Sequence, residues 1–342
     1  MKTNLQKYFT FGNNLKPLII AEVSANHCGK KSLFLKTIKS AAKNGADLIK
    51  IQTYEPKDIT VNKSLNIKNW NNKKIWQLYS KAQTPFSWHF DAFKLAKKLN
   101  VELFSTPFSN RAVDFLLKMK VKLFKISSFE ITDFKLIKKV ASTRKPIIIS
   151  TGMASLNEIK KCINLIKKFH NKIILLHCVS GYPTPDKEAN LLRILTLKKY
   201  FRKTNIGLSD HTNDIVSSMS SIPLGVSVIE KHFILSKKLR SLDKDFSITP
   251  KQLKELSIFT KKAFLTLGDG KFKIQKNEIK SIKFRRSIYA IKDIKKGEIL
   301  SENNISTFRP VMGIKAENYF KILGRKAKKN IKIHSPIYSQ YI

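Results

Sequence analysis

Residues 205–212, NIGLSDHT, and residues 226–233, VSVIEKHF, decide the fold class of this chain. Each stretch is a short apolar run that ends in polar groups and delivers a histidine, His211 or His232, at its carboxyl end. Such runs predict buried strands, and strands separated by helical segments predict a parallel sheet. The carboxyl ends of parallel strands meet at one end of a barrel, so the two histidines are expected to lie close together.

Six further runs of the same kind precede these two. They are PLIIAEVSAN (17–26), ADLIKIQT (46–53), VELFSTP (101–107), LFKISSFE (123–130), PIIISTG (146–152) and KIILLHCVS (172–180). Eight strands, each followed by a helix or a long loop over roughly 270 residues, predict a (β/α)8 TIM barrel. An open Rossmann sheet is the alternative, but HCGKK after the first strand has only one glycine where that fold has a glycine-rich turn.

The pattern changes after the helix that ends near residue 270. KFKIQKNEIKSIKFRRS is a basic connector, and short strands around a KKGE turn follow it. We therefore predict a catalytic barrel over residues 1–270, a linker over 271–283 and a small β-rich domain over 284–342.

The composition indicates a globular protein of a reducing compartment. Of the 342 residues, 42% are hydrophobic, which is enough for a substantial core. The three cysteines form no C-x-x-C pair, which argues against a disulfide framework or a structural zinc cluster. No apolar run approaches the ~20 residues of a membrane span, and the N-terminus lacks an apolar signal core. We predict a cytoplasmic protein with no membrane partner.

The formal net charge of +42 is the most unusual feature of the composition. Specific nucleic-acid sites concentrate their charge, whereas the lysines here are spread along the chain, as in LNEIKKCINLIKKFHNK. We interpret them as solvated helix faces and predict no nucleic-acid partner; a basic barrel that binds nucleic acid is an alternative hypothesis. The charge is expected to draw anionic, phosphate-bearing substrates toward the protein.

Polar side chains stand at the carboxyl ends of almost all the predicted strands, where a barrel places its active site. Two of them are lysines, Lys50 and Lys125. The others of interest are hydroxyls and an amide: Gln52, Thr106, Ser128, Ser150 and Ser209. Together they predict a cationic, donor-rich cup that suits a phosphate and a carboxylate held side by side.

The histidines of the opening stretches predict a metal site beside this cup. His211 and His232, with Glu22 as a second-shell or water-mediated partner, suit one octahedral divalent ion, Mn²⁺, Mg²⁺ or Co²⁺, with open positions for water and substrate. Such an ion would polarise a carbonyl while a phosphorylated carbon nucleophile attacks it. The alternative is a class I aldolase, in which Lys50 or Lys125 forms a Schiff base.

Several longer motifs resemble one enzyme family. They are IIAEVSANH, GADLIKIQTY, TPFSWH, FSTPF, KISSFEITD, STGMAS, YPTPDKEANL, GLSDHT and IEKHF, and they run in order from about Pro17 onward. They resemble the sialic acid synthases, which condense phosphoenolpyruvate with an acylated amino sugar to make nonulosonic acids. The end segment resembles the antifreeze-like (SAF) domain of that family.

The resemblance implies roles for individual residues. It implies that His211 and His232 hold the metal and act in catalysis, with Glu22 or Glu130 as general base or water positioner. The residues implied to bind phosphoenolpyruvate are Lys50, Gln52, Thr106, Lys125, Ser128, Ser150 and Ser209. Those implied to contact the sugar are Tyr182, Asp243, Phe129 and Arg309, the last from the partner chain of a domain-swapped homodimer.

Two places bear on which sugar is used. KISSFE places Phe129 where the N-acetylneuraminate branch tends to have glycine, and SLDKDFSI is similar to a stretch of the pseudaminate branch. An apolar ring suits a 6-deoxy, 2,4-diacetamido sugar better than the more hydroxylated N-acetylmannosamine. The resemblance therefore favours synthesis of pseudaminate, with N-acetylneuraminate and legionaminate as alternatives. Ser180 departs from the neuraminate branch, which usually has asparagine there.

Overall fold

The computed structural model describes residues 4–13, 15–62 and 75–342. Eight parallel strands form a closed barrel in chain order. They are β1 (Leu18–Glu22), β2 (Leu48–Thr53), β3 (Glu102–Pro107), β4 (Phe124–Ile126), β5 (Ile147–Ser150), β6 (Ile173–Cys178), β7 (Asn205–Asp210) and β8 (Val228–His232). Strand β8 pairs in parallel with β1 and closes the barrel. The predicted (β/α)8 architecture is confirmed.

Helices cover the outside of the barrel and occupy its connections, and the last helix of the described ranges lies beyond the barrel, in the C-terminal part of the chain. The helices of the described ranges are α1 (Gln6–Phe9), α2 (Lys31–Lys43), α3 (Pro56–Ile59), α4 (Ile75–Ala82), α5 (Phe86–Lys98), α6 (Asn110–Lys118), α7 (Phe134–Ser142), α8 (Leu156–Lys167), α9 (Arg193–Tyr200), α10 (Val216–Ser220), α11 (Pro250–Thr266) and α12 (Tyr319–Ile322). Helix α8 begins with a capping box between Ser155 and Glu158, and α11 begins with one between Thr249 and Gln252. None of these helices combines the length and apolar character that a bilayer crossing requires.

Side-chain alternation along the strands produces two apolar layers and one polar end. In β1, Ile19 and Ala21 pack outward against the helices, whereas Leu18 and Ile20 fill the barrel interior. The next inward position of β1 is Glu22. The same parity holds in the other strands, so the interior is apolar near the strand starts and polar near the strand ends.

The chain divides into two compact units, Met1–Gly268 and Asp269–Ile342. In the second unit, β9 (Ser287–Ala290) pairs antiparallel with β10 (Ile305–Phe308) over a small core of its own. Residues 269–283, which include the whole of the predicted linker, belong to this second unit.

Candidate active site

Three buried lysines differ from the exposed lysines that give the protein its surface charge. Of the lysines in the described ranges, Lys50, Lys125 and Lys231 are buried, with 4%, 2% and 1% of their surface exposed. All three lie on barrel strands. Burying an ammonium group is costly unless a partner compensates it, so each of these three needs an explanation.

Lys50 and Lys125 meet inside the barrel at a carboxylate that sequence reasoning missed, Glu230 of β8. Its Oε1 atom lies 3.2 Å from Lys50 Nζ and 3.1 Å from Lys125 Nζ, and it accepts a hydrogen bond from Ser209 Oγ at 3.1 Å. Lys50 Nζ also lies 3.1 Å from Glu22 Oε2. The predicted cup exists, but two buried glutamates offset its positive charge.

The protonation of this cluster follows from burial and from the ion pairs. Burial opposes ionisation of Glu230, but Lys125 and Lys50 together hold its pKa well below the usual range. Burial favours a low pKa for Lys50, yet Glu22 and Glu230 raise that pKa above its usual value. Burial lowers the pKa of Lys125 and raises that of Glu22, each only partly offset by the opposite charge beside it. Of the two glutamates, Glu230 is therefore the one whose ionised form the cluster favours.

The expected hydroxyl and amide groups surround the two lysines. Gln52 Nε2 donates to Glu22 Oε1 at 3.3 Å, and Lys50 Nζ donates to Thr106 Oγ1 at 3.4 Å. Ser150 is buried at the end of β5, and Ser128 Oγ lies 2.8 Å from Ser180 Oγ. An open cavity of about 590 Å³, with Ser180, Lys187 and Arg193 in its wall, adjoins this serine pair. Of this serine pair, the cavity wall contains Ser180, together with residues 152–153, 179, 181, 187–188, 190 and 193.

The two histidines converge as their strand positions predict. The ring centroids of His211 and His232 are 5.5 Å apart, and both residues are buried. The Tyr182 ring lies 4.4 Å from the His211 ring, and His211 Nε2 lies 3.4 Å from Ser209 Oγ. This contact joins the imidazole pair to the lysine cluster, since Ser209 also donates to Glu230.

The donor set fits a divalent metal with open positions. His211 Nδ1 donates to the Val179 carbonyl at 2.8 Å, which leaves Nε2, the atom near Ser209 Oγ, as the unprotonated nitrogen that can act as a ligand. Burial lowers the pKa of His211 to about 3, so the ring is in the neutral form that binds metals. His232 Nδ1 lies 3.3 Å from Asp243 Oδ2, so Asp243 is the carboxylate at this imidazole, whereas Glu22 contacts Lys50. Within the described ranges, no group of three or more histidine, cysteine or carboxylate side chains is arranged to hold a metal ion, so an ion at this histidine pair would take its remaining ligands from water or substrate.

Glu130 and Phe129 lie on the loop that follows β4. Burial and the nearby Asp133 raise the pKa of Glu130 to about 7, and Ser127 donates a hydrogen bond to its carboxylate. Phe129 is 54% exposed, so its ring is available to an incoming ligand. Arg309, the residue expected from a partner chain, is exposed in the second unit, directly after β10.

A signal for Glu230 was present in the sequence. Glu230 lies two residues before His232 on the same strand, so the period of two puts both side chains on the inner face. What parity does not reveal is the partner, because Lys50 and Lys125 are distant along the chain and meet Glu230 only across the closed barrel.

The family resemblance is confirmed by comparison with known proteins. Residues 37–272 match the NeuB family, and residues 285–340 match the SAF domain. The chain is 40% identical to a pseudaminic acid synthase from Campylobacter jejuni, over 94% of this chain and 95% of that protein. It is 41% identical to an N,N'-diacetyllegionaminic acid synthase from Campylobacter jejuni, over 93% of this chain and 97% of that protein. A crystal structure of an N-acetylneuraminic acid synthetase from Leptospira borgpetersenii, in complex with citrate, is 32% identical and superposes with a TM-score of 0.72, covering 81% of this chain and 95% of that one. With a matching family model over most of the barrel and relatives along nearly its whole length, this chain belongs to the NeuB family.

Proposed function

We propose that this protein is a pseudaminic acid synthase. It condenses phosphoenolpyruvate with 2,4-diacetamido-2,4,6-trideoxy-L-altrose and water, and it releases pseudaminate and phosphate. The observation that carries the proposal is the meeting of Lys50, Lys125 and the His211–His232 pair at one end of the barrel. Sequence identity alone does not distinguish between the two sugar substrates, since the pseudaminic and legionaminic acid synthases are 40% and 41% identical to this chain. The exposed Phe129 favours a 6-deoxy sugar, since an apolar ring suits a methyl group better than a hydroxymethyl group.

Lys50 and Lys125 are the groups that hold phosphoenolpyruvate. Their ammonium groups share Glu230 Oε1, so both donors are held close together before any substrate arrives. The hydroxyls of Thr106 and Ser150 add neutral donors for the phosphate and carboxylate oxygens, and Ser209 lies beside them, donating to Glu230. Preorganised donors of this kind cost no reorganisation when charge develops on the leaving phosphate.

The reaction forms one C–C bond and breaks one C–O bond. The methylene carbon of phosphoenolpyruvate attacks the aldehyde carbon of the open-chain sugar, and the aldehyde oxygen takes up a proton. Water then adds to the second carbon of the former phosphoenolpyruvate, and cleavage of the C–O bond expels phosphate and leaves a keto group. A divalent cation held by His211 and His232 would supply positive charge at the aldehyde oxygen. Tyr182 and Asp243 contact these two histidines and would orient the sugar.

Glu130 is the better candidate for the base that activates water. Its pKa of about 7 matches neutral conditions, where a general base is most effective. Glu22 is buried in an ion pair with Lys50, so its carboxylate is already engaged in orienting that lysine.

We therefore expect the rate to depend on the ionisation of Glu130. Because the carboxylate is the active form, kcat/KM should fall as the pH drops below about 7, and Glu130→Gln should lose about 10²–10⁴-fold in activity together with this pH dependence. Asp133→Asn supplies the matched control, since it keeps a helix cap for α7 but removes the negative charge that raises the Glu130 pKa. In Asp133→Asn, the inflection of kcat/KM against pH should move to lower pH. An inflection that survives in Glu130→Gln would exclude this role.

A domain-swapped homodimer is part of the proposal. The support for the dimer is a surface that contains Arg309, Phe308 and Met312, all three of them exposed. Because this surface is both apolar and cationic, it suits contact with another protein chain and with an acyl group. If Arg309 of one chain completes the site of its partner, specific activity falls when the enzyme is diluted. Activity per chain that stays constant down to concentrations at which the protein is monomeric would contradict the dimer.

The function is tested by phosphate release from phosphoenolpyruvate with Mn²⁺ and each candidate sugar in turn. We expect the highest kcat/KM with the 2,4-diacetamido-2,4,6-trideoxy-L-altrose, and a preference for the legionaminate precursor or N-acetylmannosamine would replace pseudaminate as the product. Borohydride is added in a parallel reaction. A covalent adduct trapped on Lys50 or Lys125 would contradict the proposed condensation and support a Schiff-base aldolase.

A further inference from the structure

The third buried lysine, Lys231, takes part in an ion pair outside the barrel interior. Lys231 of β8 and Asp210 of β7 stand directly opposite each other in the strand register, and Lys231 Nζ lies 3.0 Å from Asp210 Oδ2. Only 1% and 3% of these residues is exposed. Their neighbours of the same parity, Leu208 and Ile229, belong to the apolar layer between barrel and helices, so this pair faces away from the cup.

The pair is bonded to the segment that carries His211. Lys231 Nζ donates to the Thr212 carbonyl at 2.6 Å, and Asp210 Oδ1 accepts from Thr212 N at 2.9 Å and from Thr212 Oγ1 at 2.7 Å. Ser218 Oγ of α10 donates to Asp210 Oδ2 at 2.5 Å. Asp210 and Thr212 flank His211, and Lys231 directly precedes His232. One network therefore ties both histidine-bearing strand ends to each other.

We propose that the Asp210–Lys231 pair is a positioning device that sets the separation of His211 and His232. A buried ion pair in an otherwise apolar layer is poor evidence for added stability, because apolar residues of similar volume commonly serve stability as well or better. The ion pair instead fixes the geometry of the strand ends, because charged groups with several hydrogen-bond partners hold one arrangement. The inference deepens the proposed function, because a common metal ion is what the two histidines would hold.

The test removes the charge of both partners together. Asp210→Asn/Lys231→Met keeps an acceptor for Thr212 and a side chain of similar length, and it leaves no unpaired buried charge. The matched control is Lys16→Met/Asp47→Asn, which removes another ion pair of 3.0 Å, located just before β1 and β2. Asp47 likewise accepts a backbone hydrogen bond, from Ile19 N, so the control removes an ion pair that is bonded to a barrel strand but lies away from the histidine-bearing strand ends.

The first readout is Mn²⁺ affinity of the substrate-free protein, measured by electron paramagnetic resonance, with the melting temperature recorded beside it. We expect Mn²⁺ to bind about 10–100-fold more weakly to Asp210→Asn/Lys231→Met, the usual loss when a partner that orients a metal ligand is removed. The control double variant is expected to keep the affinity of the parent protein. Unchanged affinity in the Asp210→Asn/Lys231→Met protein would overturn the inference.

The second readout does not depend on a metal. In a crystal structure of Asp210→Asn/Lys231→Met, the two imidazole rings are expected to leave their 5.5 Å separation or to occupy more than one position. Rings that keep this separation in a single conformer would overturn the inference. If the parent protein binds no Mn²⁺, the proposed metal chemistry fails, and the crystallographic comparison alone then decides whether the pair positions the histidines.

Discussion

Replacing His211 or His232 with alanine is expected to lower kcat about 10³-fold and to abolish stoichiometric binding of a divalent metal. The two rings are 5.5 Å apart at the end of the barrel, His211 Nδ1 donates to the Val179 carbonyl, and His232 Nδ1 lies 3.3 Å from Asp243 Oδ2, so we expect a metal to bind at Nε2 of both rings. A Lewis acid at a reacting carbonyl lowers a barrier by several kcal/mol, and each 1.4 kcal/mol corresponds to a tenfold change in rate. Metal content and phosphate release are measured on the same preparations.

His177 supplies the matched control for these variants. It is a buried histidine of β6, its Nε2 lies 2.8 Å from the Ala189 carbonyl, and its register partner, Leu208, packs in the outer layer. His177→Gln is therefore expected to retain metal binding and most of the activity. Full activity of the metal-stripped parent enzyme, or of His211→Ala, would rule out a metal held by this pair.

Replacing Lys50 with methionine is expected to lower the free energy of unfolding by about 3–5 kcal/mol, the usual effect of leaving a buried charge without its partner. Lys50 pairs with both Glu22 and Glu230, whereas Lys125 pairs with Glu230 alone among the carboxylates of the described residues. In Lys125→Met, Glu230 keeps Lys50 and Ser209, so a smaller loss of about 1–3 kcal/mol is expected. Both variants should raise the KM for phosphoenolpyruvate, since each removes a cation from the cup.

Urea unfolding measures the free energy of unfolding of both variants and so tests which loss is larger. Lys122→Met is the control, because it removes an exposed ion pair, and it is expected to cost less than about 1 kcal/mol. The deficit of Lys50→Met should shrink as the pH falls, because burial already raises the pKa of Glu22 and a protonated Glu22 no longer needs a counter-charge. A larger loss in Lys125→Met than in Lys50→Met would show that the pairing differs from the one described.

Much of the candidate site was predictable because a barrel strand alternates strictly. Once NIGLSDHT and VSVIEKHF are assigned to strands, parity alone puts Ser209 and Glu230 inside and Asp210 and Lys231 outside. The same reasoning predicts that His211 and His232 converge, because neighbouring parallel strands end at the same face. The division of the chain after the barrel also follows from a change of local pattern.

The sequence by itself determined the barrel, the order of its strands and the inner or outer face of each polar side chain, because these depend on periodicities that are local in the chain. Only the tertiary structure decided the partners. Glu230 meets Lys50 and Lys125 across the barrel interior, Asp243 comes to His232 from a loop, and Lys231 reaches past His211 to Thr212. The physical reason is that the charge state of a buried group depends on the atoms within a few ångströms of it. Closure of the barrel brings residues that are far apart in sequence into that space.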